Sequence, residues 1–318
     1  MSGDKPLLLR GWKWGGEKRI SILAIQERRS VIDEVIEKLE QSGARVLSKD
    51  LRFSFEDLAQ SDALVVRRDQ RTPEIYVGIG YALATQLPII AYWNLREEPP
   101  TYGFYGILPI TATEPEQVVS ALEKIGTTER EFGTFSKFSS PPRYYIAGDV
   151  RFADKMGYFF EMERILARSG RHSLNPMVLI DNYWPYKNYC KNLSSLPQQS
   201  YQVIKPGKGG AKACFELIEL ADGIITRVDD PTNTGPWLET GYAIGRGKPV
   251  VGIHKYPWPK RGKYRLTQEH GVNWQVIPEI AKHNKERFGL ERWVADTQKS
   301  LVEILDELEG KDELGKES

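Results

Sequence analysis

The stretch A-D-G-I-I-T-R-V-D-D-P-T-N-T-G-P-W-L-E-T-G-Y-A-I-G-R-G-K-P-V-V-G-I, residues Ala221 to Ile253, decides the fold. It reads as an apolar strand, a polar loop, the start of a helix and a second apolar strand. Glu239 stands where the loop is expected to turn into the helix. That puts one carboxylate at the carboxyl edge of a parallel sheet, where open α/β sheets place their ligands. A carboxylate there also serves as a first-turn acid that the helix dipole favours.

Working outward, residues 61–92 follow the same plan. Asp62 matches Asp222, Gly80-Tyr81-Ala82 matches Gly241-Tyr242-Ala243, and Pro88 matches Pro249 before the second apolar strand. The offset is about 160 residues, with one residue of slippage in the loop. The copies differ at the acid, because Gly78 stands at the position of Glu239.

The flanks agree. Ile20 to Ile25 and Tyr144 to Ala147 read as opening strands. Val31, Val35 and Leu39 line one face of a helix closed by Gly43, and Phe159, Met162 and Leu166 do the same before Gly170. Thr113 and Glu116 predict a capping box for the last helix of the first half. Val294, Leu301, Ile304 and Leu308 predict the apolar stripe of the last helix of the second. Strands alternating with helices imply parallel sheets covered on both faces. The expected fold is therefore α/β: two tandem Rossmann-like, flavodoxin-like, doubly wound domains. Residues 1–128 form the first, 129–142 a linker, and 143–318 the second. Gly11 to Gly16, with two tryptophans, has no repeat partner and reads as packing across a sheet edge or interface.

Composition narrows the function. A chain of 318 residues is long enough for two ordinary cores. A formal net charge of +1 supplies no field towards nucleic acid or anionic membrane, so neither is an expected partner. Cys190 and Cys214 form no disulfide framework and no metal-ligand spacing. No apolar segment approaches a membrane span. These features describe a reduced, cytoplasmic protein whose chemistry is expected to need no metal and no cofactor.

Four pieces of the second half, in order, resemble the nucleoside 2-deoxyribosyltransferase superfamily, which also holds nucleoside 5′-monophosphate N-glycosidases. They are Tyr144 to Asp149, Asn175 to Asn182, Ala221-Asp222, and Trp237-Leu238-Glu239-Thr240-Gly241-Tyr242-Ala243 with Gly247-Lys248-Pro249. The resemblance covers roughly residues 143–255 and makes the first half a degenerate copy. It implies a five-stranded parallel sheet and cleavage of an N-glycosidic bond, with Glu239 attacking the anomeric carbon. A carboxylate on one face of the sugar stabilises or traps the oxocarbenium-like transition state. Transfer to another base and hydrolysis by water both stay open.

The resemblance also marks candidates for binding the nucleoside or nucleotide. Gly148, Asp149 and Arg151 lie at the first turn, where Arg151 could grip a 5′-phosphate that Asp149 would oppose. Asp181, Tyr183 and Trp184 open a long aromatic loop, and Asn233 and Gly235 precede Glu239. Two positions depart from the family. Its transferases have an Asp, and its phosphate-preferring members a Ser, where this chain has Asn233. Its base-handling Asp is replaced by Cys214, with Glu216, Glu219, Asp229 and Asp230 as acids that could take over. Members of the family complete their sites from a neighbouring subunit. The tandem therefore reads as a pseudo-dimer within one chain, with further self-association open. The competing reading is a protein that binds or senses nucleosides without chemistry. A dinucleotide site is disfavoured, because Gln26-Glu27-Arg28-Arg29 follows the first strand in place of a glycine-rich turn.

Overall fold

The computed structural model describes residues 18–23, 29–47, 53–67, 72–92, 110–125, 130–148, 156–176, 210–229, 234–254 and 275–314. Ala-Leu-Val-Val-Arg and Gly-Ile-Ile-Thr-Arg form the central strands β3 (Ala63–Arg67) and β8 (Gly223–Arg227). Both are apolar on consecutive positions because helices cover both faces of their sheets.

The first sheet contains β1 (Lys18–Leu23), β2 (Ala44–Val46), β3, β4 (Ile89–Tyr92) and β5 (Ile110–Ala112), in the order β2-β1-β3-β4-β5. The second contains β6 (Arg143–Ala147), β7 (His172–Leu174), β8, β9 (Val250–Ile253) and β10 (Val294–Ala295). Its order, β7-β6-β8-β9-β10, is the same arrangement, and every described pairing is parallel. Both are therefore doubly wound sheets of the flavodoxin-like order. The first half carries α1 (Arg29–Gln41), α2 (Phe55–Gln60), α3 (Pro73–Ala84) and α4 (Pro115–Lys124). The second carries α5 (Met156–Arg168), α6 (Gly210–Leu220), α7 (Thr234–Gly245), α8 (Val276–Phe288) and α9 (Gln298–Leu314). Among the described residues, no helix is long and apolar enough to cross a membrane.

Strand alternation divides the first sheet. Val65 and Ile90 face α1 and α4, whereas Leu64, Val66 and Ile89 belong to a core that runs on into the second half. The contact between halves is made chiefly by α3 against α7. A Cβ on Gly80 would fall 2.0 Å from the carbonyl oxygen of Leu238, and one on Gly241 would fall 2.0 Å from that of Val77. Gly245 meets the Cβ of Ala84 in the same way, at 2.6 Å. The repeat makes the Gly80–Leu238 and Gly241–Val77 contacts counterparts of each other and makes Ala84 equivalent to Gly245, so the contact has the reciprocal form of a two-fold interface. Small side chains four residues apart let the two backbones meet.

α8 departs from this symmetry, having no counterpart among the described residues of the first half. Gln275, just before it, accepts a hydrogen bond from the Phe53 amide (2.9 Å), and Glu279 accepts one from the Phe55 amide (3.2 Å).

Two sequence expectations need correction. Val294 lies in β10, so the stripe of α9 is Leu301, Ile304, Leu305 and Leu308. Strand β10 is two residues long, too short to show a period. The box at α4 is closed by Gln117, whose Oε1 accepts from the Thr113 amide at 2.8 Å. Pro115 opens that helix, and Glu116 turns outward to pair with Lys38 at 3.1 Å. The Gly11 to Gly16 segment lies outside the described residues.

Candidate functional site

A sheet of this order reverses direction between its first and third strands in sequence, and ligands bind beyond the carboxyl ends there. In the second half those strands are β6 and β8. α7 follows β8 and runs back along the sheet. It begins at Thr234, so Glu239 is its sixth residue and lies in the second turn, not at the helix start. The segment Thr234-Gly235-Pro236 is already helical, which fits the preference of proline for a first turn. The dipole effect fades within one turn, so neighbours and burial set the environment of this carboxylate. The residue is only 4% exposed, so it does not face open water.

Three elements converge on it. Tyr145 comes from β6, Cys214 from α6 and Glu239 from α7. Tyr145 is wholly buried. Burial raises its phenol well above the usual range, and the Cys214 thiol and Glu239 carboxylate beside it raise it further. Burial also pushes the Cys214 thiol well up, and the Glu239 carboxylate adds to that. Both groups keep their protons at neutral pH and are therefore donors, not bases. The cluster is a buried glutamate beside two protonated groups.

Sequence reasoning missed Tyr145 as a member of this site. The available signal was a tyrosine inside an otherwise apolar central strand, since a buried phenol needs a polar neighbour. Its neighbour Tyr144 points to the other face, where its hydroxyl donates to Glu309 at 2.7 Å.

The acids that could have replaced the missing Asp do not gather here. Glu219 Oε1 accepts from the Tyr242 hydroxyl (2.7 Å) and lies 2.8 Å from Arg246 Nε, at the far end of α6. Asp229 is gripped by both arms of Arg227 at 3.0 Å each. Glu216 follows Cys214 by two residues, which turns it to a different face of α6. Asp230 lies outside the described residues, as do Asp149, Arg151, Asp181, Tyr183, Trp184 and Asn233. Gly235 is in the first turn of α7. Gly148 is buried directly after β6, where a Cβ would fall 2.6 Å from the Phe159 ring. Close packing of α5 therefore requires glycine at that position. In the first half, Gly78 is buried within α3.

No family model matches this chain, and no curated protein matches it. Solved structures similar to it include a CMP N-glycosidase of Clostridium botulinum, at 13% identity and a TM-score of 0.27 over 52% of this chain and 99% of that one. A spinosyn rhamnosyltransferase complexed with thymidine diphosphate is 10% identical, with a TM-score of 0.26 over 95% of this chain and 91% of that one. A C2-type ketoreductase from a modular polyketide synthase is 10% identical, with a TM-score of 0.23 over 93% and 94%. All three are enzymes, but likenesses of this size carry no argument about chemistry.

Proposed function

We propose that this protein breaks the N-glycosidic bond of a nucleoside or nucleotide, with Glu239 as nucleophile. The observation that carries the reading is the buried Glu239 carboxylate beside the Tyr145 and Cys214 donors, in the helix after the central strand. In this mechanism a Glu239 oxygen attacks the anomeric carbon. The bond to the base breaks, its electron pair goes to the base nitrogen, and that nitrogen takes up a proton. Water or a second base then displaces Glu239 from the sugar. The two protonated groups stand beside the Glu239 side chain, where their dipoles favour its ionised form. A thiol with a raised pKa is a weak general acid, so the proton for the leaving base comes from another group or from solvent.

The first half acts here as the built-in partner of the second, its α3 supporting α7 from behind. A second reading, a nucleoside-binding protein without turnover, is favoured by Cys214 standing where the resembled family has an acid.

The test is base release from a panel of nucleosides and their 5′-monophosphates, followed by liquid chromatography. Glu239→Gln is expected to lower the rate by at least about 10³-fold while leaving the fold intact. Equal rates for the two proteins would end the proposal. Saturable nucleotide binding with no turnover would establish the second reading.

A further inference from the structure

A cavity of about 320 Å³ lies at the opposite edge of the second sheet, below the amino ends of β6 and β8. The linker from Thr134 to Ser139 forms one wall. Four cationic side chains line it, Lys137, Arg143, Arg246 and Lys248, against two carboxylates, Glu219 and Asp222.

Both carboxylates are already engaged. Glu219 holds the Tyr242 hydroxyl and lies against Arg246. Asp222 accepts from the Arg143 amide (2.7 Å) and from the Ser139 hydroxyl (2.9 Å). The cations are less well matched. Arg143 spends both Nε (3.1 Å) and Nη2 (2.8 Å) on the single hydroxyl oxygen of Ser139. Among the described residues, neither the Arg143 guanidinium nor the Lys137 ammonium has a carboxylate partner. Lys248 donates to the carbonyls of Glu219 and Ala221, which neutralises no charge. Burial lowers its pKa, Glu219 and Asp222 oppose that shift, and Arg246 and Arg143 add to it. Four cations thus meet two carboxylates in one polar hollow, and that surplus of positive charge is one that a bound anion relieves.

We infer that this cavity binds phosphate, either free or as a small phosphomonoester. A guanidinium, two ammonium groups and the hydroxyls of Thr134 and Ser136 offer the donor set that a dianion with several acceptor oxygens requires. The volume is at the lower end of the usual range for small-ligand sites, which leaves room for a modest organic group beside the phosphate. Since the linker is one wall, the anion ties it to the amino edge of the second sheet, away from Glu239. Ring contacts of Phe135 with Phe288 (5.4 Å) and of Phe138 with Tyr144 (6.3 Å) hold that wall without ligand.

The experiment is calorimetric titration of the full chain with inorganic phosphate and, separately, methyl phosphate, at constant ionic strength. Saturable binding at one site is expected. Lys137→Ala, an exposed change that leaves the fold intact, should weaken it about 3-fold or more, and Arg143→Gln by more than about 10-fold. Lys299→Ala, on the outer face of α9, should leave it unchanged. Tighter binding of methyl phosphate identifies an ester as the occupant, and tighter binding of inorganic phosphate identifies the free anion. No saturable binding up to about 10 mM, or equal binding by wild type and Lys137→Ala, overturns the inference.

Discussion

Asp62 and Asp222 hold equivalent corners of the two halves. Each carboxylate accepts the amide at the first strand of its sheet, Arg19 at 2.8 Å and Arg143 at 2.7 Å. These aspartates therefore brace the amino edge of the strands, well away from Glu239. The repeated Asp was legible in the sequence, but its partner was not, because the two residues are far apart along the chain. His283 supplies a prediction at this scale. Burial lowers its pKa to about 4, and its Nε2 donates to the Lys248 carbonyl at 3.1 Å. Below about pH 6.5 the unfolded chain binds a proton there that the folded chain refuses until about pH 4. Stability from this residue is thus complete above that window and is lost as pH falls through it. The loss is about 1–3 kcal/mol. Urea midpoints at pH 7 and pH 4.5 should differ less for His283→Phe than for wild type, and an identical pH dependence would refute the assignment.

At the scale of elements, the pairing of α3 with α7 is the tightest constraint. A methyl group on Gly241 would overlap the backbone of Val77, which cannot swing aside as a side chain can. Gly241→Ala is expected to cost at least about 3 kcal/mol. Gly310, inside α9, has nothing within 4 Å of a Cβ position. Gly310→Ala should therefore stabilise by up to about 1 kcal/mol, through helix propensity alone. Chemical denaturation of both variants checks the contrast, and a harmless Gly241→Ala would mean the helices pack less closely. The glycines were visible in sequence as G-Y-A in both copies. What they contact became visible only when the two copies were placed together. α8 gave no such signal, since its mixed surface is organised by contacts with Phe53 and Phe55 of the other half.

For the whole molecule, the continuous core decides what can be separated. Residues of α3 share one apolar cluster with the second sheet and its helices. A fragment spanning residues 143–318 would lose that cover over α7. Because the lost contact is reciprocal in form, the fragment is expected to form a homodimer through α7, read by light scattering after gel filtration. A monodisperse monomer with native helix content and full base-releasing activity would show that the first half is dispensable.

The sequence by itself determined the α/β class and the repeated plan, and it singled out Glu239 as the candidate acid. Those features depend on local periodicity and on residues close together along the chain. Tertiary structure decided the rest. It placed Glu239 one turn deeper in its helix, brought Tyr145 and Cys214 to it from two other elements, and assembled four cations around the linker. Each of those outcomes depends on distances between segments far apart in the chain, which packing sets and local pattern does not encode.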